Sequence, residues 1–321
     1  LWLHAERMGR LVVSEENFET QREVVKEERR MRVDNQPYAV AQLTRDTLSQ
    51  SYEPYRHTVI GSMEDLDAAE VEDVRDFHAR YYAPNNAVLA VVGDVTTGQV
   101  RALAEEYFGA FPRGPETGSL PPFPTMPRTD GERRAEMLDP LAQLPLIFLS
   151  YGTPPGSHPD HDALTVLAQI FSTGESSRLY RRLVNEEEAA VAFLADVDRR
   201  VGPGTMFFAA LPNQGVEVSR LESLIQEEIA RLQEDGVTER ELAKALNQIR
   251  AQAVAARSTV ANKAELLQSF NLMYGSPFEA NRAMERLESV GTEDIVRVAR
   301  TYLVPENLTV VIARPDRPAG E

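Results

Sequence analysis

Residues 18–32 read FETQREVVKEERRMR, and their spacing is typical of an amphipathic helix. At 100° per residue, one arc of that helix holds Phe18, Gln21, Val24, Val25 and Met31. Glu28 falls near the middle of this arc. A carboxylate on a buried apolar stripe is costly unless a cation, a hydrogen-bond network or a metal meets it. The pattern therefore predicts a partner for Glu28, either an arginine elsewhere in the fold or a metal.

The composition bounds the class of protein. A chain of 321 residues is long enough for about two domains. With 50 acidic and 34 basic residues, the net charge of −16 argues against nucleic acid or an anionic membrane as a partner. No apolar run is long enough to predict a transmembrane segment. The absence of cysteine excludes thiolate metal sites and is compatible with either the cytoplasm or an oxidising compartment.

Prolines and glycines divide the chain. They concentrate between residues 112 and 131, where no apolar period survives. Such a stretch is typical of a linker between domains. We therefore expect a first domain over residues 1–112, a linker over residues 113–132 and a second domain over residues 133–321.

An internal repeat connects the two parts. A shift of roughly 220 residues superposes Leu66 on Leu287, Glu72-Asp73 on Glu293-Asp294, Tyr81 on Tyr302, Pro84 on Pro305 and Asn86 on Asn307. Each copy has a helical pattern, then x-Pro-x-Asn, then an apolar run that predicts a strand, at 87–92 and at 308–312. The repeat predicts an α+β fold of two similar tandem α/β domains, each with a mixed or antiparallel sheet packed against helices.

The two copies differ in what precedes them. The second has around 150 residues before its matching helix and the first only about 65, a deficit of roughly 80 residues. The first domain is therefore expected to be incomplete on its N-terminal side. By the same shift, the expected missing segment would contain the counterpart of the helix that begins at His158.

The chain lacks the familiar catalytic motifs. None of its five histidines belongs to H-E-x-x-H or its inverse. In His158-Pro-Asp-His161, the proline predicts a helix start that Ser157 or His158 caps, with His161 in the first turn. The turn at 172–177, STGESS, lacks the Gly-Lys-Ser/Thr ending of a phosphate-binding loop and is interpreted as a helix entry.

Three stretches resemble the bacterial pitrilysin/insulinase family of zinc peptidases. They are LWLHAERMGRL at 1–11, QREVVKEERR at 21–30 and DNQPYAVAQL at 34–43. In that family, the second acid of an E-R-x-V-V-x-E-E-like helix is the third zinc ligand, downstream of an H-x-x-E-H motif. The resemblance implies that Glu28 is this ligand. Gln21 departs from the family, which usually places a supporting acid seven residues before the ligand.

A fourth stretch bears on partners. LVNEEEAAVAF at 183–193 resembles the segment where the family carries an arginine and, seven residues later, a tyrosine that hold the substrate backbone. Here those positions are Val184 and Val191. In heterodimeric members, one subunit carries the metal motif and its partner the Arg/Tyr pair. The resemblance therefore implies the metal-bearing kind of chain, with a homologous subunit as partner.

The resulting expectation is a zinc metalloendopeptidase that hydrolyses peptides or unfolded polypeptides. Zinc would be held by two histidines and Glu28, with the glutamate of H-x-x-E-H as general base. Residues 1–321 alone are expected to be inactive and to retain no tight zinc. The resemblance favours a periplasmic or cell-envelope location. Two alternatives stay open: a non-catalytic homologue that acts as a structural or peptide-holding subunit, and a nucleotide-dependent enzyme that uses the turn at 172–180.

Overall fold

The computed structural model of the protein describes residues 1–124 and 130–316. Its N-terminal part is helical, and the helices are α1 (Trp2–Gly9), α2 (Glu15–Arg29), α3 (Ala39–Ser49), α4 (Met63–Ala68), α5 (Val71–Tyr81) and α6 (Thr97–Phe108). A π-helical turn, Arg30–Asp34, continues α2, and short 3-10 turns lie at Glu53–Tyr55 and Pro84–Asn86. Residues 112–124 and 130–132 carry no helix or strand. The linker and the domain boundaries remain predictions, and residues 125–129 lie outside the described part.

The C-terminal part contains a sheet and its helices. The strands are β1 (Arg133–Asp139), β2 (Leu146–Pro155), β3 (Ala190–Val197), β4 (Pro203–Pro212) and β5 (Leu308–Pro315). The helices are α7 (Asp160–Ser172), α8 (Val218–Asp235), α9 (Glu239–Ala255), α10 (Val260–Tyr274), α11 (Glu279–Glu288) and α12 (Thr292–Tyr302). A π-helical turn lies at Tyr180–Glu186 and a 3-10 turn at Pro305–Asn307. Within residues 1–124 and 130–316, no helix combines the length and apolar character needed to cross a bilayer.

The sheet has the order β1-β5-β2-β4-β3, with β1 parallel to β5 and the other pairs antiparallel. Its central strand β2, LIFLSYGTPP, is buried along nearly its whole length because both faces are covered. Ile147 and Leu149 pack in the larger core with α7, α8 and α12, while Phe148 packs with Ala41 of α3 on the other face. The predicted α+β class, with a mixed sheet packed against helices, is confirmed.

The repeat is visible in the local structure. Helices α5 and α12 begin and end 221 residues apart, and the 3-10 turns that follow them keep the same offset. Asn86 Nδ2 donates to the carbonyl of Tyr81 at 2.9 Å, and Asn307 Nδ2 donates to the carbonyl of Tyr302 at 2.8 Å. The x-Pro-x-Asn motif thus closes the helix end in the same way in both copies.

Beyond this turn the copies differ. The prediction of a strand at 87–92 is wrong, because these residues form no strand in the structure. Their counterpart β5 lies between β1 and β2, whereas no strand of the described chain lies beside 87–92. A strand is stable only where a neighbour satisfies its backbone groups. The preceding helices differ similarly: Val298 of α12 is fully buried, while the equivalent Phe77 of α5 is 57% exposed.

Candidate metal-binding helix

The predicted helix around Glu28 is present as α2. Ser14 caps it by accepting the backbone N–H of Asn17 at 3.2 Å, as expected of a serine at this position. The first turn carries two acids and the last turn two cations, which matches the helix dipole at both ends. The chain then passes directly into the π-helical turn, so that Glu28 lies one residue before the last residue of α2.

The side of α2 that faces the fold differs from the prediction. Val24 is 53% exposed and Met31, which follows in the π-helical turn, is 61% exposed, so the arc around Glu28 is not buried. Phe18 and Val25 are half-buried, and no residue of α2 is fully buried. The physical reason is that long cationic side chains occupy the inward side. Their aliphatic stems cover apolar surface while their charged ends reach hydrogen-bond acceptors.

These cations hold α2 against the segment around α4. Arg22 donates to the carbonyl of Ala69, and Arg29 donates to the carbonyl of Gly61. Lys26 lies between them on the helix surface and pairs with a carboxylate of α4. Sequence reasoning missed this contact, although the spacing of the three cations, four and three residues apart, was available as a signal.

Glu28 itself is accessible. Its carboxylate accepts a contact from Nε of Arg32 at 3.1 Å, and the two side chains are 42% and 76% exposed. The arginine is thus a neighbour one helical turn away and not, as one interpretation expected, a residue elsewhere in the fold. An exposed pair of this kind contributes about 0–1 kcal/mol to stability. The ion pair therefore leaves the carboxylate free to exchange partners.

The chemistry of Glu28 fits zinc as one ligand among several. A glutamate oxygen is a normal zinc ligand, and the half-exposed carboxylate is held only by the weak pair with Arg32. Residues 1–124 and 130–316 contain no group of three or more histidines, cysteines or acids arranged to hold a metal. The described residues therefore do not form a three-ligand metal site around Glu28.

His158 and His161, which lie close together at the start of α7, have structural roles. His158 Nδ1 accepts the backbone N–H of Asp160, the first residue of α7, at 3.2 Å, but the N-cap position is Pro159 and not Ser157 or His158 as predicted. His161 lies in the first turn, as predicted, and is completely buried. Burial, and secondarily the charge of Arg199, lower the pKa of His161 to about 4.

This burial makes stability depend on pH. His161 stays neutral in the folded state down to about pH 4, whereas in the unfolded chain it takes up a proton below about pH 6.5. Its contribution is therefore fully present above pH 6.5 and is lost as the pH falls towards 4. We expect this loss to reach about 3 kcal/mol, measured by urea unfolding at pH 7 and pH 4.5. His161→Gln removes the contribution of His161 to the pH dependence of stability. An identical pH dependence in the variant and the parent protein therefore contradicts the lowered pKa of His161.

Val184 and Val191 lie apart from α2 along the chain. Val184, in the π-helical turn Tyr180–Glu186, packs against the larger core, and Val191 is 53% exposed on β3, an edge strand of the sheet. Neither side chain has a hydrogen-bonding group, so the described chain presents no Arg/Tyr pair at these positions.

The turn at 172–177 joins α7 to the next helical segment. Gly174 has φ +81°, which the turn requires, and Lys244 of α9 donates to Ser176 Oγ at 2.7 Å. The lysine thus fastens the turn to α9. Sequence reasoning missed this residue because it lies 68 positions away.

The chain is similar to known peptidases in sequence and in fold. The family profile described as "Peptidase M16 inactive domain" matches residues 68–249. The Helicobacter pylori "Zinc protease PqqE" is 29% identical over 315 residues, which cover 98% of this chain and 71% of that protein. The Mycobacterium tuberculosis "Uncharacterized zinc protease Rv2782c" is 28% identical over 291 residues, 90% of this chain and 65% of that protein.

Solved structures share the fold. A crystal structure of a protease from Helicobacter pylori superposes with a TM-score of 0.88 at 27% identity, covering 98% of this chain and 76% of that one. The first half of the Escherichia coli periplasmic protease PqqL superposes with a TM-score of 0.77 at 18% identity, which shows the fold alone. The chain spans about two thirds of the length of its curated relatives. Because the profile covers more than half of the chain, the chain belongs to the peptidase M16 family, as its resemblance to pitrilysin and insulinase indicated.

Proposed function

We propose that this chain is the part of a zinc metalloendopeptidase that supplies one zinc ligand, Glu28. The observation that carries the proposal is the accessible carboxylate on α2, within the stretch QREVVKEERR, whose ion pair is too weak to withhold it from a metal. The names of the relatives, which include several zinc proteases, support the same chemistry.

The roles of the residues follow from their positions. Glu28 binds zinc as an anionic ligand, together with two histidines of an H-x-x-E-H motif outside residues 1–321. When bound, zinc activates a water and polarises the peptide carbonyl. Gln21, two helical turns earlier on the same side of α2, presents a neutral amide that can donate or accept a hydrogen bond on the face that carries Glu28. The general base is the glutamate of the same outside motif.

A second candidate function is that of a non-catalytic subunit that holds peptides or supports a complex. Two observations favour it: the matched profile is described as an inactive domain, and the described residues include no three-ligand metal group. The sequence encoded upstream of Leu1 separates the candidates, since an intact H-x-x-E-H favours the peptidase and a degraded motif favours the subunit.

A metal-removal experiment tests the proposed activity. The full-length gene product, assayed with its homologous subunit, should cleave an unfolded polypeptide, lose this activity after dialysis against a chelator, and regain it with one equivalent of zinc. A protein that never cleaves under these conditions, yet still binds the polypeptide, is the non-catalytic subunit.

The valines at the two positions of the Arg/Tyr pair give a prediction about the partner subunit. Because Val184 and Val191 cannot bond a peptide backbone, the zinc-loaded full-length product alone should cleave slowly. A homologous subunit that carries the Arg/Tyr pair should raise turnover by about 10²-fold or more, since orientation contributes several kcal/mol to catalysis. The measurement is peptide hydrolysis with and without that subunit, and with the subunit's arginine replaced by alanine as control. Full activity of the full-length product alone, in a monodisperse preparation, contradicts the heterodimer.

The location is also a proposal. PqqL, which shares the fold, is named a periplasmic protease. We propose a periplasmic or cell-envelope location, which fractionation of the source cells followed by immunoblotting tests directly.

A further inference from the structure

The orientation of α2 depends on charge more than on apolar packing. No residue of α2 is fully buried: Val24 is exposed, and Phe18 and Val25 are only half-buried. Instead, three cationic side chains of α2 point inward, with exposed fractions of 18%, 14% and 16%: Arg22, Lys26 and Arg29. We call these three residues the cationic clamp.

The two arginines bind at the ends of the segment 61–69. Arg22 donates to the carbonyl of Ala69, and its guanidinium lies 4.5 Å from the ring centre of Phe18. Arg29 donates to the carbonyl of Gly61. Hydrogen bonds from a charged donor are the stronger class, and the planar guanidinium fixes their direction. The arginines therefore restrict rotation of α2 about its own axis.

The lysine completes the clamp from between them. Lys26 pairs with Asp67 of α4 and lies 3.3 Å from Glu23 of its own helix. All three cations thus bind the single segment that contains α4.

Helical geometry connects the clamp to Glu28. At 100° per residue, the three cations fall within an arc of about 60°, and Glu28 projects about 100° from Arg29. A rotation of α2 that moved the clamp would move the Glu28 carboxylate by the same angle. Metal ligands need directions set to within about 10–20°.

We propose that Arg22, Lys26 and Arg29 are positioning residues that set the direction of the Glu28 carboxylate by fixing the rotation of α2. The part of the proposal that concerns zinc rests on the proposed function, whereas the part that concerns the rotation does not. None of the three side chains touches the metal; each acts through the helix that carries the ligand.

The rotation is measured on residues 1–321 without zinc. Because the chain contains no cysteine, Glu28→Cys and Ser219→Cys create the two nitroxide-labelling sites for a pulsed electron–electron distance measurement. We expect a single narrow distance distribution in this background. Adding Arg22→Gln and Arg29→Gln should at least double its width. Arg29→Lys alone, which keeps a charged donor but not the planar guanidinium, should broaden the distribution less than Arg29→Gln alone does.

The matched control is Arg30→Gln. Arg30 pairs with Glu27 at 3.0 Å on the exposed side and should leave the distribution unchanged. If the double clamp variant does not fold, as judged by circular dichroism, the single Arg29→Gln variant replaces it in the test. We expect that variant to widen the distance distribution by about half of the parental width. A distribution that stays as narrow as in the parent after loss of the arginines overturns the proposal.

The second arm measures zinc in the full-length gene product by competition with a chelating dye. Arg22→Gln with Arg29→Gln should raise the zinc dissociation constant at least tenfold in protein that is still folded by circular dichroism, and Arg30→Gln should change it less than twofold. If Glu28→Gln abolishes zinc binding but the clamp variants retain parental affinity, the clamp proposal is overturned and the proposed function stands. If Glu28→Gln keeps its zinc, the proposed function falls, and the distance measurement alone decides the clamp.

Discussion

Glu28→Gln in the full-length gene product is expected to lose bound zinc and to lower peptidase activity by roughly 10²- to 10³-fold. The substitution removes the anionic oxygen that zinc requires and keeps the shape of the side chain. Stability should change by less than about 1 kcal/mol, because within the described part of the chain the substitution removes only the exposed ion pair with Arg32. Zinc content is measured by mass spectrometry after gel filtration, and activity by hydrolysis of an unfolded polypeptide.

The neighbouring acid provides the matched control. Glu27 lies next to Glu28 on α2, and it pairs with Arg30 at 3.0 Å on the exposed side. Glu27→Gln should keep both zinc and activity, because the same charge is removed where no ligand is proposed. Equal effects of the two substitutions would show a general electrostatic contribution and would remove the ligand assignment.

Asn307→Ala is expected to destabilise the fold by about 3–5 kcal/mol. The buried side chain of Asn307 donates to the carbonyls of Tyr302 and Gly152, at 2.8 and 2.9 Å, and accepts the N–H of Gly152 at 3.2 Å. Truncation leaves three backbone groups of the core without these partners, and each such group costs about 1–3 kcal/mol. Water entering the space left by the side chain recovers part of that cost. Urea unfolding measures the loss.

The repeat supplies the control for this prediction. Asn86 makes the same bond to the end of its helix, at 2.9 Å, but it is exposed and its turn is not followed by a strand. Asn86→Ala should therefore cost about 1 kcal/mol or less. Similar losses from the two substitutions would show that Asn307 does not join α12 to β2.

The α+β class could be predicted because its signals are local. The apolar run of β2 and the helical period of α12 are decided by residues close in sequence, and tertiary packing agrees with them. The repeat could be predicted for the same reason, because the x-Pro-x-Asn motif forms its own turn and helix closure in both copies.

The wrong prediction of a strand at residues 87–92 shows what local sequence patterns cannot determine. Their apolar run matches β5, but a strand is completed by neighbours that its own sequence does not contain. In the second copy, β1 and β2 supply these neighbours, and the paired residues lie 157–176 positions earlier in the chain. Nothing in the run itself distinguishes the two cases.

The prediction of which side of α2 is buried was wrong for a different reason. Both sides of this helix contain side chains that can cover a neighbour: Val24 and Met31 on one, Arg22 and Arg29 on the other. Apolar periodicity favours the first side because it counts an arginine as polar along its whole length. The arginines nevertheless bury their stems, because carbonyls of the segment 61–69 accept their charged ends.

The most direct test of the zinc assignment is a crystal structure of the full-length gene product, with anomalous data collected at the zinc edge. The account predicts a zinc peak with an oxygen of Glu28 about 2.0–2.2 Å away, together with two histidine nitrogens from outside residues 1–321. A bound zinc with Glu28 still paired to Arg32 and remote from the metal would contradict it.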